Sequence, residues 1–406
     1  MDKEKNSQDN FDLFIYEDEG EEIFSSEKKE HYYRSEKNKK KKEKRSKGKK
    51  NKKKRLLIVI TALLLVIALL LTAWLVLLKK FDYNYNDLDA TNSDLGFEEI
   101  INKKIVNIAL FGVDTRSVTS LTGNTDSIMI LSLNTETKKV KITSVMRDCL
   151  AEIDKDGEKM YRKINAAYAY GGPELAIKTL NQNFRLDISE YATVNFFGMA
   201  EIIDVIGGIE VELTENEVAP YDPNGLEALN SCIYGICLRL KLDPKDYVIT
   251  TPGKHHLNGI QAVAYSRIRK VKNIWGTNDD FGRTERQRYV MEQLFEKVKK
   301  LPKTKYVSLV QKLIPYTETS LSVNEVVSLA TNIMIQSPVF EQSRIPLDEY
   351  RMTAIHKIPA AGSYVYFDRD YAADVLHAFI YDDIDPKDYM AQNPVRKNDW
   401  YGEIIR

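Results

Sequence analysis

The stretch DDFGRTERQR, residues 279–288, puts Asp279, Asp280, Arg283, Arg286 and Arg288 into ten positions, with a glutamine at 287. Arginine forks match the oxygens of phosphate and carboxylate groups, so this composition suits anion recognition. The chain continues as a helix pattern, with Val290, Met291, Leu294 and Val298 recurring on one face. Stepping that face backward by three and four residues reaches Gln287, Arg286 and Arg283, while Glu285, Arg288 and Glu292 fall elsewhere. A buried guanidinium is expensive without an anion beside it. Two readings are open. The arginines pair internally with Asp279 or Asp280 at a fraying stripe end, or they face an anionic ligand.

Other residues of the same chemistry lie at the ends of apolar runs. IVNIALFGV (105–113) reads as a strand and runs into Asp114 and Arg116. SIMILSLN (127–134) follows Asp126, and KKVKITSVM (138–146) precedes Arg147 and Asp148. The short TET connection predicts a hairpin, which brings Asp126 and Arg147 to one sheet edge. Asp114 leaves the exit end of its strand, where open α/β sheets bind ligands. In SRIR, Arg267 and Arg269 are two apart, so an extended segment would point both the same way. A carboxylate pair suits Mg²⁺, and a cation–arginine pocket of this kind suits a pyrophosphate.

Around these residues the chain alternates strands and helices. KINAAYAYGGPELAIKTLNQNF (163–184) becomes helical in its second half, with Pro173 in the first turn. EYATVNFFGMAEIIDVIGGIEVEL (190–213) reads strand, helix, Gly207-Gly208 turn, strand, and LNGIQAVAYSRIRK (257–270) opens with a helix. Residues 214–254 are rich in turn formers and read as irregular. The expected class is α/β, a mixed central sheet covered by helices in an α/β/α sandwich, preceded by one transmembrane helix.

The formal charge of zero over 406 residues hides a strong asymmetry. Residues 1–36 carry 12 Asp/Glu against 5 Lys/Arg, and residues 37–55 carry 14 Lys/Arg and one Glu. With so few apolar groups, 1–55 is expected to be a disordered tail. LLIVITALLLVIALLLTAWLVLL, residues 56–78, contains no charge and is long enough to cross a bilayer. It lacks the short apolar core and cleavage site of a signal peptide. The basic block before it places the N-terminus in the cytoplasm and the remainder outside, as a single-pass cell-membrane protein. Beside a membrane, that block is explained by topology and anionic lipid, and no nucleic-acid partner is expected. Residues 79–104 read as a stalk, 105–390 as the α/β domain and 391–406 as a C-terminal tail. Cys232 and Cys237 can form a small disulfide in an exported domain or remain thiols. The spacing of the three cysteines and five histidines fits no zinc motif.

Taken in order, GVDTR (112–116), TDSIMILSLN (125–134), SVMRD (144–148), KINAAYAYGG (163–172), IIDVIGGIEV (202–211), LNGIQAVAYSRIR (257–269) and DDFGRTERQ (279–287) resemble the successive motifs of the LytR-CpsA-Psr family. The resemblance implies a Gram-positive cell-wall enzyme. Such enzymes move a glycopolymer, with one phosphate, from a polyprenyl pyrophosphate carrier to a peptidoglycan sugar hydroxyl. It implies that Asp114 and Asp126 hold Mg²⁺, with Mn²⁺ as a substitute, and that Arg147, Arg267, Arg269 and Arg283 contact the phosphates. Asp280 and Gln287 would belong to the same pocket, and an apolar cavity between sheet and helices would house the polyprenyl chain. Arg116 and Arg286 join the expected anion site from the residue pattern. The family often has an arginine shortly before the position of Asp126. Here TGNTDS stands there, with Gly123 and Asn124, which leaves that contact missing or supplied by a residue such as Arg116. Two alternatives remain: a non-catalytic membrane-anchored binder or regulator of envelope polymers, and a polyprenyl-pyrophosphate pyrophosphatase.

Overall fold

The computed structural model describes residues 34, 39 and 84–394, apart from 116–119, 222–227, 335–337, 348–350 and 353–363. The expected span at 56–78, the C-terminal tail from 395 and Arg116 lie outside the described residues, as does the 1–55 tail except for 34 and 39. Among the described residues no helix is long and apolar enough to cross a membrane. The chain divides into Met1–Lys80 and Phe81–Arg406, and the central sheet belongs to the second unit.

In chain order the first eleven strands of this second unit are β1 (Asn84–Tyr85), β2 (Ile105–Val113), β3 (Thr125–Asn134), β4 (Lys139–Val145), β5 (Leu150–Lys155), β6 (Glu158–Lys163), β7 (Glu190–Asn195), β8 (Ile209–Leu213), β9 (Gly253–Leu257), β10 (Glu318–Thr319) and β11 (Val339–Ile345). The helices are α1 (Ala166–Phe184), α2 (Phe196–Ile206), α3 (Leu229–Leu240), α4 (Gly259–Tyr265), α5 (Asp279–Lys299), α6 (Tyr306–Leu313), α7 (Val323–Met334), α8 (Arg369–Ile380) and α9 (Pro386–Gln392). Seven strands form the central sheet in the order β1-β10-β7-β2-β3-β4-β11. It is mixed: β2 pairs antiparallel with β3 and parallel with β7, and β4 pairs antiparallel with β3 and parallel with β11.

The period-2 alternation of β2 explains the layers. Ala109, Phe111 and Val113 face a core with Ile177 and Leu180 of α1 and Val375 and Leu376 of α8. Ile108 and Leu110 face the other way, toward Phe295 of α5, Tyr306 of α6 and Ile333 of α7. Helices therefore cover both faces. Each fully buried aliphatic side chain here, such as Ile130 at 0% exposure, contributes about 1.5–3 kcal/mol.

The segment expected to be a stalk is partly domain. β1 joins the sheet, and Leu95 and Phe97 are buried in the α1-side core. Apolar side chains separated by polar ones do not reveal from sequence that they dock. At the other end, α9 runs two residues past the expected boundary at 390. In α1, Gly171 and Gly172 leave helical geometry, so Pro173 opens a second helical segment there.

The segment 214–254 is the largest departure from expectation. It contains α3, whose helix carries both Cys232 and Cys237 as free thiols. Five residues along a helix separates two side chains by more than a turn and directs them differently. The segment is held by Asn230, fully buried, which donates to Val218 O, Ala219 O and Ile249 O and accepts from Ile249 N.

Candidate active site

Asp126 is placed by a β-bulge. Gly112 pairs with Ser127 and Val113 with Thr125, so Asp126 is the extra residue opposite them. A bulge re-aims a side chain and ends regular pairing. Asp114 follows β2 directly, and its N–H reaches Asn124 O at 3.4 Å. The hairpin brings Arg147, just after β4, onto Asp126, where its Nη1 pairs with Oδ1.

Three more arginines complete the cluster. Arg283 Nη1 lies 3.8 Å from Asp126 Oδ2, and its Nη2 is 3.2 Å from Asp126 O and 2.8 Å from Asp280 Oδ1. Arg269 Nη2 is 3.8 Å from Asp126 Oδ2, and Arg267 Nη2 is 3.8 Å from Asp114 Oδ2. Arg147 Nε sits 3.6 Å from Asp280 Oδ1 and 3.8 Å from Asp148 Oδ2, while Asp148 is held by Lys163 at 2.8 Å. Residues 266–267 form a turn after α4, so the arginine pair is not in the expected extended piece. Both guanidiniums still reach the carboxylates, because Asp279 N bonds to Arg269 O and ties this segment to the start of α5.

The electrostatics follow from that packing. Burial pushes the Asp126 carboxyl upward, but Arg283, Arg147 and Arg269 outweigh it and hold the group below its ordinary value of 3.8. Arg283 is lowered to about 10, first by desolvation and then by the neighbouring Arg147 and Arg269, against the pull of Asp280 and Asp126. Arg147 is raised, because Asp126, Asp280 and Asp148 overcome its burial. Hydrogen-bonding capacity is left over: Arg147 Nε, Arg283 Nε and Asp280 Oδ2 are buried without a hydrogen bond. Those groups are well suited to an oxyanion and an incoming hydroxyl.

Arg286 does not join the cluster. Its Nε pairs with Glu217 Oε1 at 2.7 Å, both side chains at 0% exposure, and it donates to Ile268 O at 3.1 Å and Val271 O at 2.9 Å. The stripe arginines thus divide: Arg283 turns to the cluster, and Arg286 makes an internal salt bridge, though with Glu217 rather than Asp279 or Asp280. Its bond to Ile268 O fixes the peptide between Arg267 and Arg269. Gln287 lines a cavity of about 240 Å³. Phe111, Met129, Val194, Met199, Val290 and Leu294 supply its apolar walls between sheet and helices. Its polar lining includes Ser127 and Ser266, the neighbours of Asp126 and Arg267.

One member was missed in the sequence. Arg239, in the last turn of α3, approaches Asp114 Oδ1 at 3.8 Å, on the opposite oxygen from Arg267. Nothing local signals this, because α3 lies in a segment read as irregular. No group of three His, Cys, Asp or Glu side chains able to hold a metal occurs among the described residues. Asp114 and Asp126 fit Mg²⁺ only as the protein's share of a shell completed by phosphate oxygens and water, which is how Mg²⁺ is commonly held.

A family model described as the LytR_cpsA_psr family matches residues 76–374. The chain belongs to the LytR-CpsA-Psr family. Biofilm regulatory protein A of Streptococcus mutans is 29% identical over 262 residues, 62% of this chain and 58% of that protein. The polyisoprenyl-teichoic acid–peptidoglycan teichoic acid transferase TagV of Bacillus subtilis is 27% identical over 251 residues, 61% of this chain and 58% of the relative. The chain therefore spans under two-thirds of the length of both. The crystal structure of B. subtilis TagV matches with a TM-score of 0.51 at 23% identity, covering 69% of this chain and 98% of TagV. The family protein YwtF (TagT), solved with bound octaprenyl pyrophosphate lipid, matches with a TM-score of 0.50 at 20% identity, covering 74% and 99%. These structural likenesses establish the α/β fold with its central sheet.

Proposed function

We propose that this protein transfers a glycopolymer, such as a teichoic acid or capsule, from a polyprenyl pyrophosphate carrier to a peptidoglycan sugar hydroxyl. The observation carrying this reading is the junction of two environments. A cluster of five arginines and three carboxylates stands beside an apolar cavity whose polar residues neighbour it. A diphosphate on an apolar chain needs both. The transferase names of relatives such as TagV support the same reading. The uncharged run 56–78 supports a single-pass anchor, cytoplasmic N-terminus and extracellular domain.

In the reaction, an acceptor hydroxyl, of the C6 type, attacks the phosphorus that bears the glycan. A new phosphorus–oxygen bond forms, the bond to the bridging oxygen breaks, and polyprenyl phosphate leaves with that electron pair. Arg147, Arg267, Arg269 and Arg283 orient the phosphates and balance the charge that grows on the bridging oxygen. Asp280, whose Oδ1 lies 2.8 Å from Arg283 Nη2 and whose Oδ2 has no hydrogen bond, receives the hydroxyl proton at Oδ2; Asp114 is the second candidate. Asp114 and Asp126 would hold Mg²⁺ or Mn²⁺, which supplies positive charge to the phosphate oxygens. A binder of anionic polymers gains nothing from the half-buried Asp126 and Asp280.

The test is turnover of a polyprenyl-pyrophosphate glycan by the detergent-solubilised full chain, with and without Mg²⁺, beside Arg147→Ala and Asp114→Ala. Mg²⁺-dependent release of polyprenyl phosphate, abolished in both folded variants, is expected. Full activity of Arg147→Ala, or tight binding with no turnover under any condition, refutes the reading. Added peptidoglycan strands separate transfer from hydrolysis.

A further inference from the structure

A second concavity, about 710 Å³, opens on the far side of Asn195 and Phe196, which line both it and the apolar cavity. That size falls in the ~300–1,000 Å³ range of ligand pockets. It runs between α2, α3, α4 and the Pro315–Tyr316 loop. Gly198 permits the loop to close in, since a Cβ there would meet Tyr316 O at 2.7 Å. One end abuts the phosphate cluster: the Arg267 guanidinium stacks 4.3 Å over the Phe196 ring, and Arg239 rises from the same helix as the lining residues Ile236 and Leu240.

The lining differs from that of the apolar cavity. Phe197, Tyr247 and Tyr316 offer aromatic surface, and Glu201 and Asp204, a turn apart on α2 and exposed, offer carboxylates. Asp204 already takes the Gly259 N–H at 2.7 Å. Aromatic faces pack against the C–H faces of sugar rings, and carboxylates accept from hydroxyl and amide N–H groups. Two exposed carboxylates repel a phosphate-rich polymer. They are a poor wall for a wholly apolar chain as well.

We infer that this groove holds the acceptor: an uncharged strand of N-acetylated amino sugars, threaded so that one hydroxyl meets the cluster at Arg267. This rests on the proposed transferase reading for its place in the reaction, but not for its chemistry of recognition. The donor approaches through the apolar cavity, and the wall made by Asn195 and Phe196 keeps the two substrates apart until their reacting groups meet.

The test is isothermal titration of the full chain in detergent with two probes, chitotetraose for the groove and farnesyl pyrophosphate for the cluster. The variants are Glu201→Lys, an exposed site, and Glu158→Lys, exposed on β6 outside the groove, as a charge-matched control. Wild type and Glu158→Lys are expected to bind chitotetraose alike, and Glu201→Lys about tenfold more weakly, a difference of about 1.4 kcal/mol. Farnesyl pyrophosphate affinity should be the same in all three. No binding of chitotetraose by wild type, or unchanged binding by Glu201→Lys, overturns the inference. So does a weakening of farnesyl pyrophosphate instead, which would make the groove a lipid path. Because binding is read without turnover, a chain that holds the tetrasaccharide in this groove but never transfers refutes the transferase reading alone.

Discussion

Replacing Arg286 with methionine isolates what the internal salt bridge does. The substitution leaves Glu217 at 0% exposure with no cation, and it strips Ile268 O and Val271 O of a donor. Breaking one half of a buried pair costs about 3–5 kcal/mol, because the remaining charge stays desolvated. At roughly 2 °C per kcal/mol, the low end for domains of some size, the melting midpoint should fall by about 6–10 °C. Glu217→Leu alone should cost a similar amount. The double variant removes both charges and should lose about 3 kcal/mol, the worth at about 1 kcal/mol each of two hydrogen bonds to carbonyls and the one Glu217 Oε2 accepts from Thr214 N. Urea denaturation of the four proteins closes the cycle. Additive losses, or an Arg286→Met variant within about 1 kcal/mol of wild type, would refute the reasoning. Below its midpoint the variant should also turn over more slowly, since Arg286 fixes the peptide that aims Arg267 and Arg269.

Two further outcomes are expected from local geometry. Because the native Asp126 pKa is depressed, the stability it contributes is fully present above its ordinary value of 3.8 and is lost as pH falls below that toward the native value. The urea midpoint of wild type should therefore drop more steeply than that of Asp126→Asn between about pH 5 and pH 2; equal slopes would show that the arginines do not hold the carboxylate. A Cβ at Gly259 would meet Ala200 O at 2.0 Å, so Gly259→Ala must push α4 from α2 and cost about 1–3 kcal/mol by chemical denaturation. An unchanged midpoint there would mean the helices have room to part.

Much of the frame was legible because it rests on local periodicity. β2, β3 and β4, the α2 helix with its Gly207-Gly208 stop, and the stripe of α5 each satisfy a repeat of two or 3.6 residues whose apolar side chains must be buried somewhere. The hairpin alone put Arg147 at the Asp126 end of the sheet. What stayed hidden depends on partners distant in sequence. Stripe position showed that Arg283 and Arg286 are both buried, yet only the fold set Asp126 and Asp280 against one and Glu217 against the other. The bulge that aims Asp126 arises from the pairing of β2 with β3, and no single strand records it. Arg239 is supplied by a helix whose sequence has turn formers on both sides and whose anchor, Asn230, bonds to backbone 11 to 19 residues away. By itself the sequence determined which residues had to be buried, since transfer from water depends on residue type. The tertiary structure decided which charge meets which, because an ion pair depends on distances that only the folded chain sets.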